Sequence, residues 1–182
     1  PSGYIWAGAL DGYYNGEYYV ARSSSTSSVS SWDSATKVVT SGSSAGGGGF
    51  GLIYVDKPYL AGGFFNGGSY SMECYYYSAS TWSVCPNGSS IEKTDTDTTG
   101  YGYTTDGTNL YFGFIEFMSG DLRFVKYDGT NWGTAVELDT NTNTNADIII
   151  DSNNDLYIIW STSAGTYYKK ASSPYGVGDW SA

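Results

Sequence analysis

Short apolar runs alternate with polar turns along the chain. "GLIYV", "LYFGFI", "RFVKY", "ADIII" and "LYIIW" are built from aromatic and β-branched residues, the types that fit a pleated strand. Between them lie clusters of Gly, Ser, Asn, Asp and Thr, which favour tight turns. No long stretch carries apolar residues at helical spacing, and strong helix formers are sparse. The pattern predicts an all-β protein.

The runs recur with a fixed period. Trp32, Trp82, Trp132 and Trp180 stand 50, 50 and 48 residues apart. "MECYYYSASTW" and "LRFVKYDGTNW" align without a gap, each an extended run, a turn and a tryptophan. "EYYVARSSSTSSVSSW" and "TYYKKASSPYGVGDW" follow the same plan with longer loops. A second marker lies upstream in "VDKPYLAGGF", "TDGTNLYFGF" and "IDSNNDLYIIW". Each places an aspartate, Asp56, Asp106 or Asp151, at a strand end before a short turn. The first repeat has the matching strand, "GYIWAGAL", without the Asp turn before it.

Each repeat therefore reads as four strands, A to D, with D starting at the tryptophan. The repeats cover about 1–45, 46–95, 96–145 and 146–182, within one propeller domain or part of one. Four antiparallel strands recurring at this period predict a β-propeller-like array of about four blades. One blade cannot bury both of its faces, so neighbours must stack, and the repeat tryptophans are placed to pack between them. A solenoid coil would be shorter, and a sandwich does not call for equally spaced tryptophans. The chain opens on a strand B and closes just inside a strand D. That phase fits either part of a longer propeller or a four-blade ring with an incomplete seam. Both leave open strand edges through which other copies can pair.

The layout resembles the Asp-box repeats of the sialidase-like propeller superfamily, whose motif is Ser-x-Asp-x-Gly-x-Thr-Trp at the turn between strands C and D. "YDGTNW" keeps Asp128, Gly129 and Trp132, with the aspartate one residue nearer the tryptophan and without the Ser and Thr. "SASTW" keeps Thr81 and Trp82, and "SSPYGVGDW" keeps Trp180 and loop glycines. The resemblance implies a propeller fold. Sialidases also use an arginine triad, a Tyr–Glu nucleophile pair and an acid/base Asp. This chain has only Arg22 and Arg123, so a complete sialidase site is absent.

Composition narrows the partners. The net charge is −10 with only 8 Lys and Arg, which argues against nucleic acid and against anionic membrane surfaces. No apolar run approaches the ~18 residues of a membrane-spanning helix, so membrane insertion is not expected. No signal peptide is visible, and with Pro1 in first place any targeting segment has been removed or lies upstream. The absence of His removes Ser-His-Asp and Cys-His catalysis and His-ligated zinc. Other glycosidases need two carboxylates ~5–9 Å apart. Glu17, Glu73, Glu116 and Asp121 are available, with nothing in the sequence to show that two converge.

"DSNND" at 151–155 has oxygen ligands at positions 1, 3 and 5 of a calcium loop, but Leu156 replaces the glycine and no Glu follows at position 12. An aspartate capping its own turn explains Asp151 as well as Asp56 and Asp106, so no cofactor is expected and calcium remains the minor alternative. "SGSSAGGGGF" at 41–50 lacks the Lys-Ser/Thr of a phosphate loop and reads as a connection between blades.

Cys74 and Cys85 fall opposite each other if a hairpin turns at Ala79-Ser80. A cross-strand disulfide there would suit a secreted or surface protein; two free thiols are the alternative. Tyrosine is over-used, with 19 copies. Adjacent strand residues face opposite ways, so part of each Tyr cluster packs between blades and part is free for contacts. Tyr13 and Tyr14, in the loop "LDGYYNGE", are the ligand-binding candidates.

The expectation is a non-catalytic recognition propeller, extracellular or on a cell or virion surface, binding glycans or surface proteins. The alternatives are a structural repeat of a filament, phage fibre or adhesin, and a fragment of a glycoside-processing enzyme.

Overall fold

The structure of the chain, a computed structural model, describes residues 3–11, 17–27, 29–39, 50–66, 69–87, 93–94, 98–116, 119–140, 143–173, 175 and 179–181. Four antiparallel sheets follow one another along the sequence. Sheet 1 holds β1 (Trp6–Asp11), β2 (Glu17–Arg22) and β3 (Thr36–Val39). Sheet 2 holds β4 (Phe50–Tyr54), β5 (Pro58–Asn66), β6 (Ser69–Ser78) and β7 (Thr81–Val84), with β8 (Lys93–Thr94) paired to β6. Sheet 3 holds β9 (Thr98–Thr105), β10 (Leu110–Glu116), β11 (Leu122–Tyr127) and β12 (Val136–Asp139). Sheet 4 holds β13 (Asn143–Ile150), β14 (Leu156–Thr162), β15 (Gly165–Ala171) and β16 (Trp180–Ser181). In each sheet the strands pair in chain order, the meander of a propeller blade. The chain is all-β, and its four sheets form a partial, unclosed propeller.

Strand D does not start at the tryptophan in every repeat. In sheets 1 and 3, Trp32 and Trp132 form isolated bridges to Ser23 and Tyr127. The ladder resumes only at Thr36 and Val136, with a register shift inside each ladder. One extra residue on one strand of an antiparallel pair breaks a ladder in this way. The two repeats share the same offset, so the bulge belongs to the repeat unit.

The turns are held by aspartates. Asp106 Oδ1 accepts the backbone N–H of Thr108 (2.8 Å) and Asn109 (2.7 Å). Asp128 Oδ1 accepts those of Thr130 (2.9 Å) and Asn131 (2.7 Å). Asp151 Oδ1 accepts those of Asn153 (2.8 Å) and Asp155 (2.9 Å). Each replaces a backbone acceptor that a tight turn lacks. Asp56 instead receives the Tyr59 hydroxyl at 3.3 Å and pairs with Lys57 at 3.5 Å. The β6–β7 hairpin turns at Ala79 and Ser80, both at positive φ. Its register sets Ser78 opposite Thr81 and Tyr77 opposite Trp82. Three pairs further out, Cys74 and Cys85 are joined in a disulfide with a Cα–Cα distance of 5.3 Å.

Three apolar clusters lie between consecutive sheets. The first joins Tyr18 and Val20 of sheet 1 to Leu60 of sheet 2. The second joins Ile53, Ala61 and the disulfide to Phe112, Phe114, Val125 and Tyr127 of sheet 3. The third joins Tyr111, Ile115, Leu122 and Phe124 of sheet 3 to Ile148, Ile158 and Trp160 of sheet 4. Burying one such side chain is worth about 1.5–3 kcal/mol, so these layers supply most of the drive to stack. The tryptophans sit in them. Trp82 meets Trp6 of sheet 1 at 6.1 Å, and Trp180 meets Phe124 of sheet 3 at 4.9 Å. Trp132 packs on Phe112 and Tyr127 within the cluster facing sheet 2. Each of the three therefore points to the preceding sheet. Glycines let the inner strands approach: a Cβ on Gly102 of β9 would lie 2.3 Å from the backbone N of Ile148 in β13.

Candidate functional site

Sheets 2, 3 and 4 carry β4, β9 and β13 inside their second strand, and sheet 1 has no described counterpart inside β1. A cavity of about 280 Å³ opens at that position, between β1 and the β4–β5 hairpin. Its walls are Tyr4, Trp6, Leu52, Ile53, Tyr54 and Pro58. Leu52 and Ile53 alternate along β4, one packed toward sheet 1 and the other toward sheet 3. Tyr54, at the end of β4, stays exposed and donates its hydroxyl proton to the Asp56 carbonyl at 3.2 Å.

Trp6 has two roles. It packs edge-on against Tyr77 (4.8 Å) and Trp82 (6.1 Å), closing the junction between sheets 1 and 2. It also lines the cavity, and its indole N–H is buried with no acceptor. The Arg22 guanidinium lies 4.6 Å from the Tyr4 ring centre and 5.8 Å from that of Trp6. Asp33 Oδ2 fixes it, accepting from Nε at 3.0 Å and Nη2 at 2.7 Å. The Arg22 hydrogen bond holds the Asp33 carboxyl below its ordinary range. The arrangement is an aromatic-walled recess in which the Tyr4 ring also stacks with the Arg22 guanidinium. It can hold the apolar face of a small ring and hydrogen-bond its polar periphery.

Among the described residues no carboxylate lines this cavity. Glu17 is bound by Lys37 (2.9 Å) and Tyr19 (2.8 Å) in sheet 1, and Glu73 accepts from Tyr75 at 2.6 Å in sheet 2. Glu116 pairs with Arg123 at 2.9 Å in sheet 3, where its backbone N–H donates to the Asp121 carbonyl. Arg22 and Arg123 stand in different sheets. At the "DSNND" turn, Asp155 is held by Lys170 and Ser172, each at 2.6 Å. Among the described residues no group of three or more Asp, Glu, Cys or His side chains is arranged to hold a metal ion. No described helix is long and apolar enough to cross a membrane.

Tyr13 and Tyr14 lie outside the described residues. The repeat reading missed Tyr4, Trp6 and Tyr54, because the cavity is formed between two repeats and not within one. A signal for it exists: Trp6 and Trp160 are the two tryptophans that fall off the 50-residue series.

No protein-family model and no curated protein matches the sequence. Solved structures do. An exo-β-1,3-galactanase from Phanerochaete chrysosporium with galactose matches with a TM-score of 0.61 at 13% identity, over 100% of this chain and 47% of that one. An ulvan lyase, a polysaccharide lyase, matches with a TM-score of 0.60 at 12% identity, over 98% and 46%. The NanB sialidase of Streptococcus pneumoniae matches with a TM-score of 0.53 at 15% identity, over 85% and 26%. The chain thus spans half or less of the length of these structures. At such identities the likeness is one of fold, and the shared fold is the β-propeller.

Proposed function

We propose that the chain is a glycan-recognition propeller module whose binding site is the Tyr4–Trp6–Tyr54 cavity. The observation that carries this reading is the wall itself: three aromatic rings around a recess of about 280 Å³. Sugar rings offer C–H faces to aromatic planes. The chain carries a net charge of −10, which favours neutral over acidic saccharides. The disulfide fits an oxidising, extracellular setting. The carbohydrate-active proteins that share the fold support a glycan ligand over a protein one.

A single shallow site of this size binds weakly, with Kd about 0.1–1 mM. The test is a screen on a broad glycan array followed by NMR titration of the hits. Tyr54→Ala and Tyr4→Ala should each weaken binding about tenfold, or about 1.4 kcal/mol, while the melting temperature holds. An array without hits sinks the proposal, as does unchanged affinity in both variants.

A further inference from the structure

We infer that Asn87 is an attachment site for an N-linked oligosaccharide. The inference rests on the oxidising, extracellular setting that the disulfide supports, and it is independent of the Tyr4–Trp6–Tyr54 cavity.

The sequence supplies the acceptor motif. Asn87-Gly88-Ser89 reads Asn-x-Ser, with a residue other than proline in the middle. The chain has ten asparagines, and Asn87 alone has Ser or Thr two positions on. Gly88 and Ser89 lie outside the described residues; Asn87 does not.

Asn87 stands where a bulky, hydrated group can be carried. It follows β7 and the bridged Cys85, whose backbone N–H donates to the Cys74 carbonyl at 2.8 Å. Sheet 3 holds the same turn, because the Tyr127 hydroxyl donates to the Pro86 carbonyl at 3.2 Å. The backbone before Asn87 is thus pinned twice, while Asn87 itself is exposed. Its φ of 51° lies in the left-handed region, where asparagine is enriched among residues with a side chain. The side chain reaches the turn between β11 and β12. Asn87 Nδ2 donates to Asn131 Oδ1 at 2.9 Å and to the Thr130 carbonyl at 3.4 Å, and both of those residues are exposed too.

Attachment uses one of the two Nδ2 hydrogens. The donor is a polyprenyl-diphosphate-linked oligosaccharide. Its anomeric carbon bonds to Nδ2 as its bond to the phosphate oxygen breaks. The diphosphate leaves with the electron pair, and Nδ2 loses one proton. The remaining hydrogen can keep the 2.9 Å bond to Asn131, so only the longer contact to Thr130 is lost. The sugar then stands at the rim of the junction of sheets 2 and 3, outside the apolar cluster buried there.

Intact-mass measurement tests the inference on the full chain, directed by a secretion signal into a eukaryotic secretory pathway. The wild type should exceed 19.6 kDa by the mass of one N-linked glycan and lose that excess on treatment with peptide-N-glycanase. Release in heavy-oxygen water should label residue 87 and no other asparagine, which separates it from spontaneous deamidation at Asn87-Gly88. Asn87→Gln should stay at 19.6 kDa. Ser89→Ala should do the same with Asn87 still in place, and Ser89→Thr, which restores the motif, should carry the glycan again. Thiol alkylation of the same samples reports the Cys74–Cys85 bridge. A bridged wild type without the glycan overturns the inference and leaves the extracellular reading standing. Free thiols together with no glycan overturn both. A glycan that persists in Asn87→Gln or in Ser89→Ala also overturns the inference.

Discussion

The Tyr111 hydroxyl donates to Asp106 Oδ2 at 2.6 Å, tying a fully buried ring of sheet 3 to the turn before its own strand. The same carboxylate receives the Asn109 side chain at 2.8 Å and two backbone N–H groups. Burial works against its charge, but the hydrogen bonds from Asn109, Tyr111 and Thr108 outweigh it and take Asp106 from 3.8 to about 2. Burial first, and then the Asp106 contact, push the Tyr111 phenol far above its ordinary range.

A carboxyl whose folded value is depressed contributes stability above its unfolded value and loses it on acidification. Asp106 therefore contributes fully above about pH 4, and the contribution disappears as pH falls through about 2. Asp106 is exposed on one side, so solvent screening reduces the effect to about 1 kcal/mol. Urea unfolding of the wild type should show that drop between pH 4 and pH 2. Asp106→Asn should start about 1 kcal/mol lower at pH 6 and lack this part of the acid dependence.

Gly102→Ala is expected to damage the junction of sheets 3 and 4. The new methyl would meet the β13 backbone at Ile148 and Asp147, which cannot turn aside as a side chain can. The expected cost is about 3 kcal/mol, or a fall in Tm of about 6–12 °C. A variant melting with the wild type would show that the inner strands of sheets 3 and 4 are further apart than described.

Reduction of Cys74–Cys85 should cost about 2–3 kcal/mol, because the bridge closes a short loop at a sequence separation of 11. The Cys74→Ser/Cys85→Ser double variant should melt below the reduced wild type. Both cysteines are buried in the cluster between sheets 2 and 3, so part of the loss comes from hydroxyls set among Ile53, Ala61 and Val125.

The hairpin turn offers a gain. Ala79 at φ 49° and Ser80 at φ 67° occupy the left-handed region, which two-residue hairpins of this type require and which Asn-Gly fills best. Replacing Ala79-Ser80 by Asn-Gly should add about 1 kcal/mol and raise Tm by about 2–4 °C.

Much of this architecture was written in the sequence wherever a local rule fixes position. The tryptophan period marked the sheets because one large side chain per repeat is needed at each junction. Counting outward from Ala79-Ser80 set Cys74 against Cys85 because an antiparallel ladder without a bulge keeps one register. The same counting failed at Trp32 and Trp132, where the bulge delays the fourth strand. Nothing in the spacing tells a reader that a residue will be skipped. The cavity was hidden for a related reason. Tyr4 and Tyr54 lie 50 residues apart and line one cavity only once sheets 1 and 2 stack, a juxtaposition that periodicity within a repeat does not encode.

The three inter-sheet layers are unequal. Among the described residues, thirteen are buried between sheets 3 and 4, and three between sheets 1 and 2. In an array where each unit leans only on its neighbours, local opening starts where the layer is thinnest. Amide hydrogen exchange should therefore be slowest in β10 and β14 and fastest in β1 and β2, the strands that carry Trp6 and Arg22. The proposed glycan site borders these strands, so a ligand bound there should register as slowed exchange through β1, which carries Trp6, and on into β2, which lines no part of the cavity.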